Sequence, residues 1–561
     1  MALHNPSVRV TVVDRDEKRI QAWKGGHLPI KEPGLAEIVR VARDGAIGSA
    51  LDSIATAYDP EDNRASQGEA TRLPNLFFST ACTETIASAD MILISVNTPT
   101  KRRGRGAGRA TDMTALEGAT RDIAAHARPG TILVEKSTVP CKTGQLIKDI
   151  LEAHRPGVVF PVLSNPEFLS EGTAVRDLMD PDRIIIGCET SISGHRAAAA
   201  LVNLYASWVP RSKIVPINIW SSELCKLVAN AMLAQRISSI NSVSALCERT
   251  GANVSEIAKA VGMDARIGPQ FLKAGLGFGG SCFRKDIASL TYLAESLGLP
   301  EVAVYWQQVL IINQWQRDRF AASIITRLNN SLRGKKITIL GYAFKKNTGD
   351  ARESPALDVI RLLLDEDPRS IAIFDPLCSE ADIRTELQVL QADYPVLKPE
   401  GPVEMYSDPY AACSDSDAVL VLTDWDMFKN TKPDTTIKSS AESECSFDAV
   451  APASILKIRQ PHDNATAPPT PPETPNIPYL SSRSVTGMLP EPACPIDCAE
   501  CNETNRSTSF AALDISTPLD WSKISRLIKE PRWVFDGRGL LDHNAMTEIG
   551  FRLETLGRAC A

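Results

Sequence analysis

Short, continuous runs of Val, Ile and Leu recur along the first part of the chain, separated by segments with helical periodicity. The runs occupy residues 8–13, 91–96, 131–135 and 183–187. Runs of this kind are typical of parallel strands buried on both faces, because the crossover helices of βαβ units cover both sides of the sheet. The alternation therefore predicts an open α/β sheet, with TALEGATRDIAAHA and RAAAALVNLYASW among its covering helices.

A helical centre follows, and then the alternation returns. The centre holds two long helical patterns, one ending at Gly251 with Ser222 as its predicted N-cap, the other over residues 300–329. From Lys335 onward, KKITILGYAF, SIAIFDP and DAVLVLTDW alternate with the helix SPALDVIRLLLDED. This order predicts a second doubly wound domain.

The expected domains are residues 1–215, 216–330 and 331–561, and two segments interrupt them. Residues 46–74 are polar and lack a period, so we interpret them as an inserted loop. Residues from about 431 to 530 contain the run ATAPPTPPETPNIP, whose few apolar residues cannot pack a core. We expect a disordered, linker-like insertion there.

Composition excludes several classes of protein. A net charge of −7 over 561 residues argues against nucleic-acid binding, which normally requires a basic domain. No apolar stretch is long enough to span a bilayer, and the first residues lack the design of a secretory signal, so we expect a cytoplasmic protein without membrane association. The thirteen cysteines are scattered, as is typical of reduced thiols. Cys494, Cys498 and Cys501 lack a fourth paired ligand, so no metal site is expected.

The segment KAGLGFGGSCFRKD, residues 273–286, is the strongest local feature. Its glycines satisfy G-x-G-x-x-G, but no strand precedes them, so the pattern does not indicate a dinucleotide fingerprint. We interpret it as a loop that approaches a ligand and opens a helix, with Cys282 in the first turn. There the helix dipole, Arg284 and Lys285 would favour the thiolate, which makes Cys282 a candidate nucleophile. The alternative is a buried structural cysteine.

Paired polar residues mark two further places. Glu167 and Glu171 follow the run VVFPVLS, at the edge where open α/β sheets bind ligands. They are equally compatible with acids in the first turn of a helix. Lys226 and Asn230 lie four residues apart and so share one face of an otherwise apolar helix. A lysine held in a partly dry cleft stabilises an oxyanion, so this pair is a candidate for that role.

Single polar residues also stand at the ends of predicted strands. Thr138 follows the run TILVEK, the segment 97–100 follows MILISV, and Asp14 follows VRVTVV. In a dinucleotide-binding fold an acid at Asp14 binds ribose hydroxyls. Taken singly, Thr138 and the segment 97–100 are better explained as turns, and a turn residue is also the alternative for Asp14.

Together these segments resemble the UDP-glucose 6-dehydrogenases, more than the GDP-mannose or UDP-N-acetylmannosamine enzymes, and look most like the eukaryotic form. The motifs that carry the likeness occur in the order VTVVD, PIKEPGL, SVNTPTK, STVP, NPEFLSEGTA, ELCKLVANAMLAQRISSINS, GFGGSCFRKD, GYAFKKNTGDARES and FDGR. The resemblance covers nearly the whole chain outside the two insertions. It implies an α/β fold of two doubly wound Rossmann-like domains joined by a long central helix and a helical dimerisation domain, and therefore a homo-oligomer.

The resemblance also implies an NAD-dependent, four-electron oxidation of UDP-glucose to UDP-glucuronate. Cys282 would attack the aldehyde, giving a thiohemiacetal and, after the second hydride leaves, a thioester. Glu167 would act as the base for thioester hydrolysis. Lys226, together with Asn230, would stabilise the developing oxyanion.

The remaining site residues follow from the same resemblance. Asp286 and Thr138 would position water and assist proton transfer. The positions implied for NAD are Asp14, Arg19, Val96, Asn97, Thr98, Pro99, Thr100, Ser137, Thr138, Glu171, Lys285 and Arg352. The positions implied for the UDP-sugar are Glu167, Phe168, Leu169, Lys226, Asn230, Arg266, Lys273, Gly275, Phe278, Gly279, Phe344, Lys345 and Arg538. Arg266 would reach the substrate of a neighbouring subunit.

One departure from the family pattern concerns the first residues. The family begins with a strand and a glycine-rich turn that leads into a helix, whereas this sequence starts at the counterpart of the second strand. The amides of that turn hold the NAD pyrophosphate, and without the first strand the sheet would lose its centre. We therefore expect either a truncated chain or an inactive relative. A non-catalytic homologue that binds UDP-sugar without NAD, and a dehydrogenase for another nucleotide sugar, are the alternatives.

Overall fold

The computed structural model describes residues 1–30, 32–47, 71–392, 395–430, 492–494 and 517–558. These residues form two α/β units and a helical centre. The elements of the first unit are β1 (Val10–Val13), α1 (Glu17–Lys24), α2 (Leu35–Asp44), β2 (Ala46–Ile47), β3 (Thr71–Arg72), β4 (Leu76–Ser79), α3 (Cys82–Ser88), β5 (Met91–Ile94), α4 (Thr114–His126), β6 (Ile132–Glu135), α5 (Thr143–His154), β7 (Val162–Ser164), α6 (Ala174–Met179), β8 (Ile184–Cys188), α7 (Ile192–Tyr205) and β9 (Ile214–Asn218). The predicted α/β class is confirmed.

The sheet of the first unit is divided in two. β1 pairs in parallel with β4, and the other strands form a separate sheet in the order β5-β6-β7-β8-β9. Within the described residues, β1 and β5 are both edge strands, and their apolar residues Val12 and Leu93 are 40% and 37% exposed. In the part of the chain that the structure describes, no strand pairs with both β1 and β5. The larger sheet is parallel except for one antiparallel pair between Ser164 and Gly187.

The first predicted insertion is closed at its base by a short ladder. β2 and β3 pair in an antiparallel manner, with Ala46 opposite Arg72 and Ile47 opposite Thr71. The interpretation of residues 46–74 as a loop therefore misses this ladder. Its signal is weak because each strand contributes only two residues. Residues 48–70 lie outside the described part of the chain.

The helical centre consists of α8 (Ile219–Thr250), α9 (Val254–Gly262), α10 (Phe283–Ser296) and α11 (Pro300–Arg327). Gly251 ends α8 in the left-handed conformation, with φ of 83°, as predicted. The predicted N-cap Ser222 is wrong, because the Asn218 side chain accepts the first amide hydrogen bonds of the helix. Ser222 is instead buried in the first turn, where its hydroxyl lies 3.0 Å from that of Ser164.

The second unit is a six-stranded parallel sheet in the order β12-β11-β10-β13-β14-β15, with helices packed against it. Its elements are β10 (Lys336–Leu340), α12 (Pro355–Leu364), β11 (Ser370–Phe374), α13 (Glu380–Leu387), β12 (Val403–Met405), α14 (Pro409–Cys413), β13 (Ala418–Val421), α15 (Trp521–Leu527), β14 (Trp533–Asp536), α16 (His543–Ile549) and β15 (Arg552–Thr555). β10 and β13 are buried along their whole length, which explains their unbroken apolar runs.

The second predicted insertion ends earlier than expected. α15 lies inside the expected range of 431–530, yet it belongs to the second unit, because Trp521 and Ile524 pack in the same core as β13 and β14. Apolar residues at this spacing form one helix face. Residues 431–491 and 495–516, which include the Pro/Thr-rich run, lie outside the described residues.

No helix in the described part of the chain is both long and apolar enough to cross a membrane.

Candidate active site

Cys282 lies at the start of α10, immediately before its first helical residue. The residue is exposed to solvent. Nearby protein atoms nevertheless reduce the solvation of a thiolate, and this burial, together with the Asp286 carboxylate, raises the pKa of the Cys282 thiol. The charges of Lys226 and Lys285 oppose the rise without cancelling it. The expectation that the helix start favours the thiolate is therefore wrong, because it did not include burial or the acid one turn away.

Lys226 and Glu167 form the first polar pair of the site. Lys226 is 4% exposed, and its Nζ lies 3.2 Å from Glu167 Oε1. The second oxygen, Oε2, accepts the backbone N–H of Leu169 at 2.8 Å. The ring of Phe168 lies under the Lys226 ammonium, with 5.4 Å from Nζ to the ring centroid. The loop after β7 thus holds the carboxylate against the lysine of α8.

Asn230 and Asp286 form the second pair. Asn230 Nδ2 donates to Asp286 Oδ2 at 2.6 Å, and the Asp286 side chain is 1% exposed. Burial raises the pKa of Asp286, while Lys285, whose Nζ lies 4.0 Å from Oδ1, lowers it. Asp286 Oδ1 accepts no hydrogen bond in the described structure. It is therefore free to accept one from a water or a substrate hydroxyl.

The predicted common face of Lys226 and Asn230 is confirmed. Both side chains are buried on α8, and each contacts a carboxylate on a different element. The charges of Lys226, Lys285 and Asp286 all act on the pKa of the Cys282 thiol, so both polar pairs lie within electrostatic range of it. The structure therefore brings together most of the residues that the sequence proposed for catalysis.

The residues proposed for NAD lie partly at the ends of β5 and β6. Thr98 Oγ1 donates to the backbone oxygen of Thr138 at 2.8 Å, and Val96 N donates to Ser137 Oγ at 2.9 Å. Lys285 Nζ lies 3.4 Å from Thr98 Oγ1, which connects these loops to α10. In the same loop, the backbone oxygen of Pro99 accepts a hydrogen bond and Thr100 forms an isolated bridge, while Asn97 precedes Thr98.

Asp14 and Arg19 stand apart, in the smaller part of the divided sheet. Asp14 follows β1, and its Oδ2 accepts from Arg19 NH1 at 2.7 Å. Backbone and Arg19 hydrogen bonds lower the pKa of Asp14. The carboxylate is thus ionised at neutral pH and suited to accept hydrogen bonds from hydroxyl groups.

Glu171 and Arg352 bring the two α/β units together. Arg352 NH2 lies 2.6 Å from Asp350 and 3.7 Å from Glu171. Burial and the charge of Asp350 raise the pKa of Glu171, and its Oε2 has no hydrogen-bond partner in the described structure. Nearby, Lys345 Nζ donates to Ser170 Oγ at 2.9 Å. This junction carries an unsatisfied buried acceptor, which fits a donor from a bound ligand.

These observations test whether the chain can hold NAD. The hydroxyls of Thr98, the Lys285 charge and the unsatisfied Glu171 oxygen lie around one edge of the larger sheet, where open α/β sheets bind cofactors. These groups fit NAD, which would take hydrogen bonds and charge contacts from them. β1 and β5 do not pair with each other in the described residues.

Arg538 is bonded mainly to the backbone. It donates to the carbonyl oxygens of Leu422 at 2.6 Å and of Gly277 and Phe344 at 3.3 Å each. It therefore links the glycine loop to the second unit. Lys345 Nζ lies over the Phe344 ring, at 5.3 Å from its centroid.

A cavity of about 290 Å³ lies beside Arg538 and Lys273. Lys259 and Arg558 also line it, which gives it four cations, and Ser255 adds a hydroxyl. Sequence reasoning identified Lys273 and Arg538 but not the other three. Their contribution depends on α9 and the chain after β15 meeting in space, and no motif signals it.

Other supporting residues were also missed. Glu32 accepts the backbone N–H groups of Gly172 and Ala174 at 2.9 and 2.7 Å, and so fixes the loop that carries Glu171. Glu32 belongs to the PIKEPGL motif, which contributes to the family resemblance but predicts no role for this carboxylate. Arg266, by contrast, is exposed and contacts Asp264 at 2.6 Å.

Comparison with known proteins identifies the family. The chain matches the NAD binding domain of the UDP-glucose/GDP-mannose dehydrogenase family over residues 58–209, its central domain over 220–315 and its UDP binding domain over 338–451. UDP-glucose 6-dehydrogenase 3 of Oryza sativa subsp. japonica is 47% identical over 437 residues, which cover 76% of this chain and 85% of the relative. This chain belongs to the UDP-glucose/GDP-mannose dehydrogenase family.

Further relatives agree with this membership. The UDP-glucose 6-dehydrogenase of Caenorhabditis elegans is 50% identical to this chain over 426 residues. The matched region covers 75% of this chain and 82% of the Caenorhabditis elegans protein. The solved UDP-glucose dehydrogenase of Pyrobaculum islandicum aligns with a TM-score of 0.61 at 31% identity, covering 76% and 87% of the two chains. The two Rossmann-type units and the central domain thus follow the family architecture.

Proposed function

We propose that this chain is a UDP-glucose 6-dehydrogenase, which oxidises the C6 alcohol of UDP-glucose to a carboxylate in two steps. The observation that carries the proposal is the placement of Cys282 beside the Lys226–Glu167 and Asn230–Asp286 pairs. The cofactor is NAD, which when bound supplies the hydride acceptor for both oxidations. Thr98, Thr138, Glu171, Lys285 and Arg352 would hold it, together with Asp14 and the other positions named above.

The first oxidation removes a hydride and a proton from the alcohol. Lys226 donates a hydrogen bond to the substrate oxygen and stabilises its developing negative charge. Asp286, whose Oδ1 is free, accepts the proton, directly or through a water held by Thr138. Because the pKa of Asp286 is raised, it is a stronger base than an ordinary aspartate.

The second oxidation requires the thiol. Once Asp286 has released the first proton to solvent, Cys282 adds to the aldehyde carbon, and its thiol proton passes through Asp286 to the new alkoxide. The resulting thiohemiacetal then loses its hydroxyl proton to Asp286 and a hydride to become a thioester. Glu167 then activates a water that attacks the thioester carbonyl. The carboxylate product leaves, and the thiolate of Cys282 is reprotonated. Lys226 and Asn230 stabilise the oxyanion in each addition.

The substrate is held from three directions. Lys345 and Phe344 belong to the second unit, and the backbone after Glu167 passes Phe168 and Leu169. Lys273 and Arg538 line the cationic cavity, which suits the charge of a nucleoside diphosphate. The loop glycines Gly275 and Gly279 allow close approach of the backbone.

An oligomer is part of the proposal. On α11, Val304, Ile311 and Trp315 are 55%, 46% and 42% exposed, and their spacing of seven and four residues places them on one face. An apolar stripe of this kind on a long helix is suited to packing against a second copy. The exposed Arg266 is then available to a neighbouring subunit's substrate.

The test is the yield of NADH for each UDP-glucose consumed by the purified chain. The proposal predicts two NADH per sugar, and Cys282→Ser reduces the rate of the second oxidation by about a thousandfold or more. Two NADH per sugar from the Cys282→Ser chain, or turnover of GDP-mannose but not UDP-glucose, would contradict it.

The gap between β1 and β5 favours a second candidate, a homologue that binds UDP-sugar without NAD. Calorimetric binding of UDP-glucose with no NADH formed would support this candidate. NADH formation by the chain as it stands would exclude it.

A further inference from the structure

The loop that precedes Cys282 runs through the interior of the helical centre. Gly275, Leu276, Gly277 and Phe278 are all buried. Their backbone N–H and C=O groups cannot all reach water, and the loop forms no strand or helix that would satisfy them. The second unit provides two partners: Leu276 N donates to the backbone oxygen of Gly537, and Gly277 O accepts from Arg538. For Gly275 and Phe278, side chains of the neighbouring helices provide the partners.

Two sets of side-chain amides do so. At the first position, Asn241 Oδ1 of α8 accepts from Gly275 N at 2.9 Å, and Gln316 Nε2 of α11 donates to Gly275 O at 2.8 Å. At the second, Asn313 alone bonds both groups of Phe278, accepting from N at 2.9 Å and donating to O at 3.0 Å. We name these contacts the Gly275 clamp and the Phe278 clamp.

The Phe278 clamp is specific in its chemistry. A carboxamide offers one acceptor and donors in fixed geometry, so Asn313 satisfies both backbone groups of one residue. Arg317 adds a further donor to the same carbonyl oxygen. Gly277 has φ of 88°, and a Cβ there would collide with Asn313 Oδ1. Asn313 therefore occupies this position only because residue 277 lacks a side chain.

The Phe278 clamp acts close to Cys282. The Phe278 ring packs edge-on against the ring of Phe283, with 5.6 Å between the centroids, and Phe283 is the first helical residue after Cys282. Gly280 follows Phe278 in the chain, and its backbone N–H donates to the backbone oxygen of Glu353 at 3.3 Å. This bond fixes the segment between Phe278 and Cys282. Displacement of Phe278 would therefore move both the loop before the thiol and the helix after it.

We propose that Asn313 is a positioning residue for Cys282, which holds the loop and the start of α10 in the geometry that the thiol needs to reach the aldehyde carbon. The inference rests on the proposed function of Cys282 as the nucleophile. Asn241 and Gln316 hold the other end of the same loop. Asn313 itself contacts no reacting atom.

The first test separates the two oxidations. Only the aldehyde step uses the thiol, so the full-length Asn313→Leu chain oxidises the UDP-sugar aldehyde roughly 10- to 100-fold more slowly, while the UDP-glucose alcohol step falls much less. Gln314→Leu is the matched control, since its amide lies on the same helix and bonds Asp318 rather than the loop. Equal losses in both steps for Asn313→Leu would overturn the inference.

The second test needs no cofactor and no turnover. The rate of alkylation of Cys282 by iodoacetamide is measured against pH, with the labelled peptide identified by mass spectrometry. A loosened loop exposes the thiolate to water, so the midpoint moves to lower pH in Asn313→Leu but not in Gln314→Leu. An unchanged midpoint in a folded Asn313→Leu chain would overturn the inference.

A second variant tests the same inference if Asn313→Leu does not fold. Gly277→Ala disturbs the same clamp from the loop side, because its methyl group collides with Asn313 Oδ1. The same fall in aldehyde oxidation and the same change in midpoint are expected, and their absence would count against the inference. Failure of the proposed function is distinguishable: there, Cys282→Ser itself leaves the yield of NADH per sugar unchanged.

Discussion

Two carboxylates flank the proposed nucleophile, and they have different environments. Glu167 is 31% exposed on its side chain and paired with Lys226, whereas Asp286 is 1% exposed and bonded to the neutral amide of Asn230. Different environments of this kind allow two acids in one site to take different roles. We therefore assign proton transfer in the oxidations to Asp286 and hydrolysis to Glu167.

The charge of Asp286 should be visible in the titration of Cys282. Asp286→Asn removes a negative charge that raises the pKa of the thiol, so the alkylation midpoint of Cys282 moves to lower pH. Lys285→Met removes a positive charge that lowers the pKa, so the midpoint moves to higher pH. A shift in the same direction in both variants would contradict the opposite effects assigned to these two charges.

At the residue scale, the sequence predicted those contacts that follow from local spacing. Lys226 and Asn230 share a face because they lie four apart on a helix. The direction of the Cys282 pKa could not be predicted, because it depends on burial by distant segments. The same limit applies to Asn313, which is an ordinary helix residue in sequence and faces the glycine loop only after α11 packs.

Among the elements of the first unit, β1 and β5 are edge strands. Strands buried in the middle of a sheet have their amides bonded on both sides, whereas β1 and β5 each pair with one strand. Hydrogen–deuterium exchange should therefore be faster in residues 10–13 and 91–94 than in β10, which pairs with β11 and β13. Equal protection of β1, β5 and β10 would contradict the divided sheet.

β6 ends in a buried acid with consequences for stability. Glu135 is 1% exposed, and burial followed by the charge of Glu223 raises its pKa well above the ordinary value. The folded state therefore holds a proton that the unfolded state releases, so this residue's contribution to stability falls as pH rises above the ordinary carboxyl pKa. Glu135→Gln should raise the Tm at pH 8 relative to the parent chain, with a smaller gain at pH 5.

The exposed carboxylate of Glu152 on the following helix provides the control for that experiment. Glu152→Gln should leave the Tm at both pH values almost unchanged, because surface substitutions usually have small effects. A gain for Glu135→Gln that is larger at pH 5 than at pH 8 would contradict the assignment of a raised pKa.

Most elements were predicted by pattern, and the failures have local causes. Val, Ile and Leu runs located β5, β6 and β13 because buried parallel strands need unbroken apolar sequence. α15 was missed because seven residues following a Pro/Thr-rich stretch carry little periodic signal. Ser222 was the predicted N-cap because its residue type caps helices, but Asn218 is of an equally suitable type, and only the hydrogen bonds of the folded chain distinguish them.

For the whole molecule, the apolar stripe on α11 bears on assembly. Trp315→Glu places a charge on the stripe and should weaken self-association by about 2 kcal/mol or more, which light scattering after gel filtration would detect as a smaller mass. Val159→Asp is the control, because Val159 is 67% exposed but lies on the first unit. An unchanged mass for Trp315→Glu would exclude this face as the interface.

The centre and the second unit both bring charges to one thiol, Lys226, Lys285 and Asp286 from the centre and Lys345 from the second unit. The first unit contributes Glu167, which pairs with Lys226. The central claim is that this thiol becomes covalently bound to the substrate. It predicts that a Glu167→Gln chain, which lacks the base for hydrolysis, accumulates a thioester during turnover.

The most direct measurement is the mass of the Cys282 peptide after acid quenching of Glu167→Gln with UDP-glucose and NAD. The account predicts the added mass of the UDP-glucuronyl group on Cys282, and its loss on treatment with hydroxylamine. An unmodified Cys282 peptide in a chain that still forms NADH would contradict covalent capture by this residue.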